Sequence, residues 1–282
     1  MENSGEVMNS SKQYIVLASI LFYLWFFVLE EGNENLSPEE LENYKEELSD
    51  WVRDNEEELR VVQGERRENV HNVCQKYGLA RGEAKPSSEL TNNINQLGLN
   101  SEEWAFLKRI NWLYIYWSQK NSLIWCKVPK AGSSTWTYNF LKLAGVNRKN
   151  HIHKELRNFF PKQSNNKVMQ DTFRFMVVRH PFERILSAYR DKLEDLSRDL
   201  EARDGHYYTM YGKHIVAEYR DKQDKNLTNV LEPTWREFIT YILNTPATKY
   251  DEHWMPIWML CSPCIIRSVE YSHFLFLLTL HW

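Results

Sequence analysis

Two stretches of the chain gather residues able to hold an anion. In CKVPKAGSSTW, Cys126 to Trp136, a lysine, a glycine and three hydroxyl residues follow an apolar run and lead into a helical pattern. In FMVVRHPFERILSAYRDK, Phe175 to Lys192, Arg179 closes an apolar run and Ser187 lies on the helical pattern after it. A loop between strand and helix presents backbone N–H groups, and the helix dipole favours negative charge at that end. In the first loop, Lys130 adds charge, Gly132 lets the chain turn closely around a ligand, and Ser133, Ser134 and Thr135 add hydroxyl donors. In the second, Arg179 supplies charge-assisted hydrogen bonds and Ser187 a hydroxyl. Such sites suit phosphate or sulfate. Two of them on adjacent strands suit a nucleotide phosphorylated at two separated positions. An ATPase loop places its lysine after the second glycine; here Lys130 precedes Gly132, which argues against a nucleotide kinase.

Proton transfer needs a base, and histidine titrates near neutral pH. NHIHK, between the two anion stretches, offers His151 and His153. DEHW offers His253, with Asp251 and Glu252 as weaker candidates. His180, beside Arg179, is expected to shape the turn.

The elements that must position these groups follow from periodicity. Leu123–Val128 and Phe173–Val178 are short apolar strands. Trp136, Phe140, Leu141, Leu143 and Ala144 fall largely on one side of the first helix, which Gly145 can end. Pro181 can start the second helix, and Phe182, Ile185, Leu186, Tyr189 and Leu193 recur as a buried stripe. SEEWAFLKRINWLYIYW has a helical pattern with Ser101 as its cap, and PTWREFITYIL is another amphipathic helix. Strand–helix alternation predicts an α/β fold with a parallel sheet flanked by helices.

The 282 residues suffice for one sizeable α/β domain with extensions. A formal net charge of -3 disfavours a nucleic-acid partner, so any anion site must be a local basic cluster. Aromatics make up 14% of the chain and are assigned mainly to the core. Tyr14–Leu29 is uncharged and is expected to be a transmembrane signal anchor, with residues 1–13 as a cytoplasmic tail. Residues 30–105 then form a luminal stem and linker, its helix starting at Ser37, Pro38 and Glu40, with loop chemistry over Ala80–Ser101. Residues 106–282 form the main domain. Asn35 and Asn226 stand in glycosylation sequons. Cys74, Cys126, Cys261 and Cys264 allow three complete disulfide pairings. The CSPC spacing alone is a weak zinc signal, and no metal is expected.

With these motifs in place, the chain resembles the Golgi carbohydrate sulfotransferases. CKVPKAGSSTW is similar to their 5′-phosphosulfate loop, and FMVVRHPFERILSAYRDK to their 3′-phosphate motif. EHWMPIWMLCSPC, Glu252 to Cys264, resembles a block of the chondroitin/dermatan 4-O-sulfotransferase branch. The resemblance covers about Leu123 to Cys264. It implies a P-loop-like fold, the donor 3′-phosphoadenosine 5′-phosphosulfate (PAPS), a glycan acceptor of glycosaminoglycan type and a single-pass type II Golgi membrane protein. It implies donor binding by Lys127, Pro129, Lys130, Ala131, Gly132, Ser133, Ser134, Thr135, Trp136, Arg179 and Ser187. Catalysis is expected from Lys130 with His151, His153 or His253. The first loop is closer to the general sulfotransferase loop than to the 4-O-sulfotransferase branch. After Cys264 the chain departs from the pattern with IIRSVEYSHFLFLLTLHW, so its acceptor side is expected to be atypical. The alternative is a homologue that binds nucleotide or glycan without turnover.

Overall fold

The computed structural model describes residues 39, 43, 46–47, 50–51, 53–79, 100–107, 111–121, 123–146, 151–160, 172–195, 205–222, 230–264 and 274–277. Tyr14–Leu29, the Ser37 helix start, most of the Ala80–Ser101 linker and both sequons lie outside these. Among the described residues, no helix is long and apolar enough to cross a membrane. The chain divides into two units, Met1–Arg66 and Arg67–Trp282. Helix α1, Glu56–Lys76, runs through the boundary, and everything below belongs to the second unit.

That unit is built on a four-stranded sheet in the order β1-β2-β3-β4. The strands are β1 (Ile115–Ser118), β2 (Leu123–Cys126), β3 (Phe173–Val177) and β4 (Phe274–Leu277). β2 pairs with β3 and β3 with β4 in parallel. β1 pairs antiparallel with β2. The sheet is therefore mixed, not wholly parallel as the alternation predicted. The cause is the connection: residues 119–122 are long enough for a hairpin and too short for a crossover. The helical pattern expected over 101–117 also stops early. Helix α2 spans Ser101–Leu107, and the aromatic and β-branched run behind it forms β1. Its cap is Asn100, not Ser101: Asn100 and Glu103 exchange backbone-to-side-chain hydrogen bonds at 2.9 Å each. The apolar run that departs from the family pattern supplies β4, in register with β3 from Arg174↔Phe274 to Val177↔Leu277.

Between β2 and β3 stand α3 (Ser133–Leu143) and α4 (Ile152–Phe159); after β3 comes α5 (Pro181–Lys192). α3 buries Trp136, Phe140 and Leu141 as expected, while Leu143 is exposed. Gly145, at φ 81°, follows its last turn. In α5 the buried face is Arg184, Ala188, Tyr189 and Lys192, with Leu193 beyond it. Phe182, expected in that stripe, is 77% exposed. One helical turn earlier than Ala188 the core face holds Arg184 instead, because this guanidinium finds backbone carbonyl partners.

The later helices are α6 (Lys213–Tyr219), α7 (Trp235–Asn244) and α8 (Ile257–Cys261). One core cluster joins Ala188, Tyr189, Leu193, Ile215, Phe238 and Trp254. Another joins the sheet to α8 through Ile115, Ile124, Val128, Met176 and Leu260. Disulfides join Cys74 to Cys264 and Cys126 to Cys261. The two CSPC thiols thus go to different partners, which leaves no thiolate pair for zinc.

α7 starts with a capping box between Thr234 and Glu237. The same Glu237 takes Arg220 in a forked pair at 2.9 and 3.0 Å. Burial alone would raise the Glu237 carboxyl, but Arg220 and the Thr234 amide hold it below the usual range. Glu237→Gln should destabilise the fold by about 2–4 kcal/mol at pH 7, the scale of one broken buried pair. A depressed folded pKa contributes stability above the unfolded value of about 4.3, and that stability is lost as pH falls through the folded value. Urea unfolding should therefore show parent and variant converging in acid.

Candidate functional site

β2 and β3 are parallel neighbours with Cys126 opposite Met176. The two loops that follow, 127–132 and 178–180, therefore leave the same edge of the sheet side by side. Ligands of open α/β sheets gather at such carboxyl ends. The first loop turns through two left-handed residues, Lys130 at φ 65° and Gly132 at φ 68°. Gly132 is the N-cap of α3 and offers no side-chain acceptor. Trp136 N donates to Gly132 O at 3.0 Å, so the helical ladder starts there. The amides of Ser133 to Thr135 belong to the first turn, which has no intrahelical acceptors. Ala131 and Trp136 turn their side chains into the core, where Trp136 meets Phe175 at 5.0 Å. Ser134 is exposed, and Gly132, Ser133 and Thr135 are half-buried.

Cations gather around this turn. Lys127 is 6% exposed, and burial lowers its pKa, with Glu252 opposing and Arg157 adding to the shift. Burial likewise lowers Lys130, and Asp191 opposes that through an ion pair at 3.1 Å. Arg179 is near enough to lower Lys130 further and lies 3.3 Å from Glu183. Ser187 is half-buried on the same helix.

The residue that holds the site together was not foreseen in the sequence. Arg184 donates to Pro129 O at 2.8 Å, to Met255 O at 2.7 Å and to Glu252 O at 2.9 Å. It is 3% exposed, and burial lowers its pKa to about 10, still far above neutrality. One side chain of α5 thus ties the first loop to residues 252–255. The stripe gave no signal for it: Arg184 lies two residues after Phe182, about 200° round the helix, on the side that the stripe left to solvent.

The histidines divide. His153, in the first turn of α4, meets Ser134 Oγ through Nε2 and Thr137 Oγ1 through Nδ1, both at 3.3 Å. Burial lowers its pKa to about 4; Lys127, Arg157 and His253 lower it too, and Glu252 opposes them. At neutral pH it is an uncharged imidazole packed against the first turns of α3. His151 is exposed at φ 54°, capping α4. His253 Nδ1 lies 2.5 Å from Asp251 Oδ1 and 3.2 Å from Tyr207 Oη. That dyad orients the His253 ring. Glu252 raises Tyr114, already raised by burial, through charge and a hydrogen bond. Trp112, Trp117, Lys120, Phe159 and Phe160 line a cavity of about 510 Å³ that neither loop borders. Its wall includes Ala144, past the far end of α3, so it is distinct from the chemistry. Among the described residues, no cluster of acids, histidines and cysteines could hold a metal ion.

The arrangement gathers cations at two strand–helix junctions and holds an uncharged imidazole beside the first. Arg184→Met should loosen the first loop and residues 252–255 together. The expected loss is about 3–5 kcal/mol in a denaturant titration, as for a broken buried charge network. Arg184→Lys should recover little, since an ammonium cannot reproduce the planar fork that reaches three carbonyls.

Comparison with known proteins agrees with this geometry. A profile of the Sulfotransferase family matches residues 114–273, which include both loops and the CSPC block. Carbohydrate sulfotransferase 14 of Homo sapiens is 31% identical over 163 residues, 55% of this chain and 41% of that protein. Carbohydrate sulfotransferase 9 of Homo sapiens is 28% identical over 230 residues, 77% of this chain and 45% of that protein. Carbohydrate sulfotransferase 8 of Mus musculus is 31% identical over 165 residues, 54% of this chain and 38% of that protein. The chain spans less than half the length of these relatives. No solved structure matches it.

Proposed function

The chain belongs to the sulfotransferase family, and on that premise we propose that it transfers a sulfuryl group from PAPS to a hydroxyl of a glycan. The observation that carries this reading is the pairing of two cationic strand–helix junctions at the ends of adjacent parallel strands. A donor with anions at its 5′ and 3′ positions suits two such junctions side by side. The relatives' names support a carbohydrate acceptor. The resemblance of Glu252–Cys264 to the 4-O-sulfotransferase block supports a chondroitin or dermatan type of glycosaminoglycan. Localisation in the Golgi membrane through Tyr14–Leu29, with a luminal main domain, accords with that acceptor.

In this reading the amides of the α3 first turn, with Ser133, Ser134 and Thr135, hold the 5′ phosphosulfate, while Arg179 and Ser187 hold the 3′ phosphate. The acceptor oxygen attacks sulfur in line, and the bond from sulfur to the bridging phosphate oxygen breaks. The electron pair of that bond leaves on 3′-phosphoadenosine 5′-phosphate. Lys130 stabilises this developing charge. His153 takes the acceptor proton, supported by its contacts with Ser134 and Thr137 on the anion helix. His253, oriented by Asp251, is the competing base.

The test is transfer of labelled sulfate from PAPS across a panel of desulfated glycosaminoglycans, with ATP as the control nucleotide. Transfer to a chondroitin or dermatan acceptor is expected; nucleotide binding without transfer to any glycan would favour the non-catalytic homologue. Lys130→Ala should lower turnover by about a hundredfold, the cost of one lost donor to a developing oxyanion. His153→Ala should abolish the acid limb of the kcat/KM profile. In the parent that limb should fall near pH 4, the value to which burial lowers His153. A limb near the ordinary histidine value of about 6.5 would transfer the base role to another group.

A further inference from the structure

Lys130 already has an anion beside it. Asp191 Oδ2, from the last turn of α5, lies 3.1 Å from its Nζ. The same oxygen takes Lys192 Nζ at 2.8 Å. The two lysines are held differently. Lys192 is 4% exposed and its ammonium sits 4.7 Å from the centroid of the Tyr207 ring. Lys130 rides on a loop in a left-handed conformation, with its side chain 18% exposed. Asp191 itself is 41% exposed, so solvent and ligand can reach it. Arg179 and Glu183 repeat the pattern at the second loop, with the loop guanidinium 3.3 Å from a carboxylate in the first turn of α5.

Burying Lys130 costs desolvation, which Asp191 offsets. Burial would raise the Asp191 carboxyl, yet Lys192 and Lys130 hold it at about 2, so its charge persists throughout the neutral range. An incoming phosphate or sulfate then meets a loop whose cation is engaged. It competes for Lys130 and experiences repulsion from Asp191. Lys192 remains to neutralise Asp191 once Lys130 turns to the ligand.

We propose that Asp191 is an internal counter-ion that occupies the Lys130 ammonium in the resting loop and is exchanged for the anion of the ligand. Asp191 is thereby a positioning residue that limits how tightly the site holds its nucleotide. The identity of the nucleotide rests on the function proposed above; the exchange of one anion for another does not.

The experiment is calorimetric titration of the full chain with 3′-phosphoadenosine 5′-phosphate and, separately, with inorganic pyrophosphate. Asp191→Asn should tighten both about two- to fivefold, the scale of one partly exposed charge contact removed. Asp191→Glu, which keeps the charge, should bind close to the parent. A merely structural aspartate would behave oppositely, with Asp191→Asn losing affinity together with melting temperature. Unchanged or weaker binding of both ligands to Asp191→Asn overturns the proposal, as does absence of any anion binding in parent and variant alike. Tightened pyrophosphate binding with no nucleotide binding in either protein would uphold the counter-ion and remove the PAPS reading instead.

Discussion

A single guanidinium holds the candidate site in shape. Arg184 has three backbone carbonyls as partners, from Pro129, Glu252 and Met255, which belong to two segments far apart in sequence. Backbone carbonyls removed from water need donors, and a buried guanidinium needs acceptors. Each requirement answers the other here. The consequence reaches past stability. Pro129 directly precedes Lys130, so the arginine sets where the anion loop begins. Glu252 directly precedes His253, so the same arginine sets where the second histidine block lies. The Cys126–Cys261 disulfide fastens neighbouring chain, directly before the loop and at the last residue of α8.

The electrostatics follow from that frame. The whole chain carries a slight negative charge, yet Lys127, Lys130, Arg184 and Lys192 are drawn into one neighbourhood of low exposure. Such a cluster is costly without anions, since burial disfavours the charges of Lys127, Lys130 and Arg184. Asp191 and the Arg184-bound carbonyls supply part of the compensation. His153 shows the effect most clearly: desolvation and surrounding cations keep it neutral. A neutral imidazole is the protonation state in which a histidine can accept a proton. The environment that favours an anionic ligand therefore also keeps the adjacent imidazole uncharged.

Much of this was legible because local pattern and tertiary role coincide. The strand–loop–helix order at Lys130 and at Arg179 is visible in the apolar runs, in Gly132 and in Pro181. The capping box at Thr234 and Glu237 is likewise a short-range signal. What was not legible depends on partners distant in sequence. Arg184 looks like a solvated helical arginine until the carbonyls of Pro129, Glu252 and Met255 are brought to it. Phe182 fits the apolar stripe by spacing but lies at the helix start, where the core does not reach. β1 was hidden because its aromatic residues satisfy a helical period as well as a strand. The disulfide pairing had three equal solutions until the sheet placed Cys126 beside Cys261.

The central claim is that the loops after β2 and β3 form one site for a nucleotide with separated phosphates. Amide hydrogen exchange with and without 3′-phosphoadenosine 5′-phosphate tests it most directly. The account predicts new protection at the amides of 132–136 and of 179–187 together, and much weaker protection with adenosine 5′-phosphate. Protection confined to one loop, absent from both, or equal for the two nucleotides would contradict it.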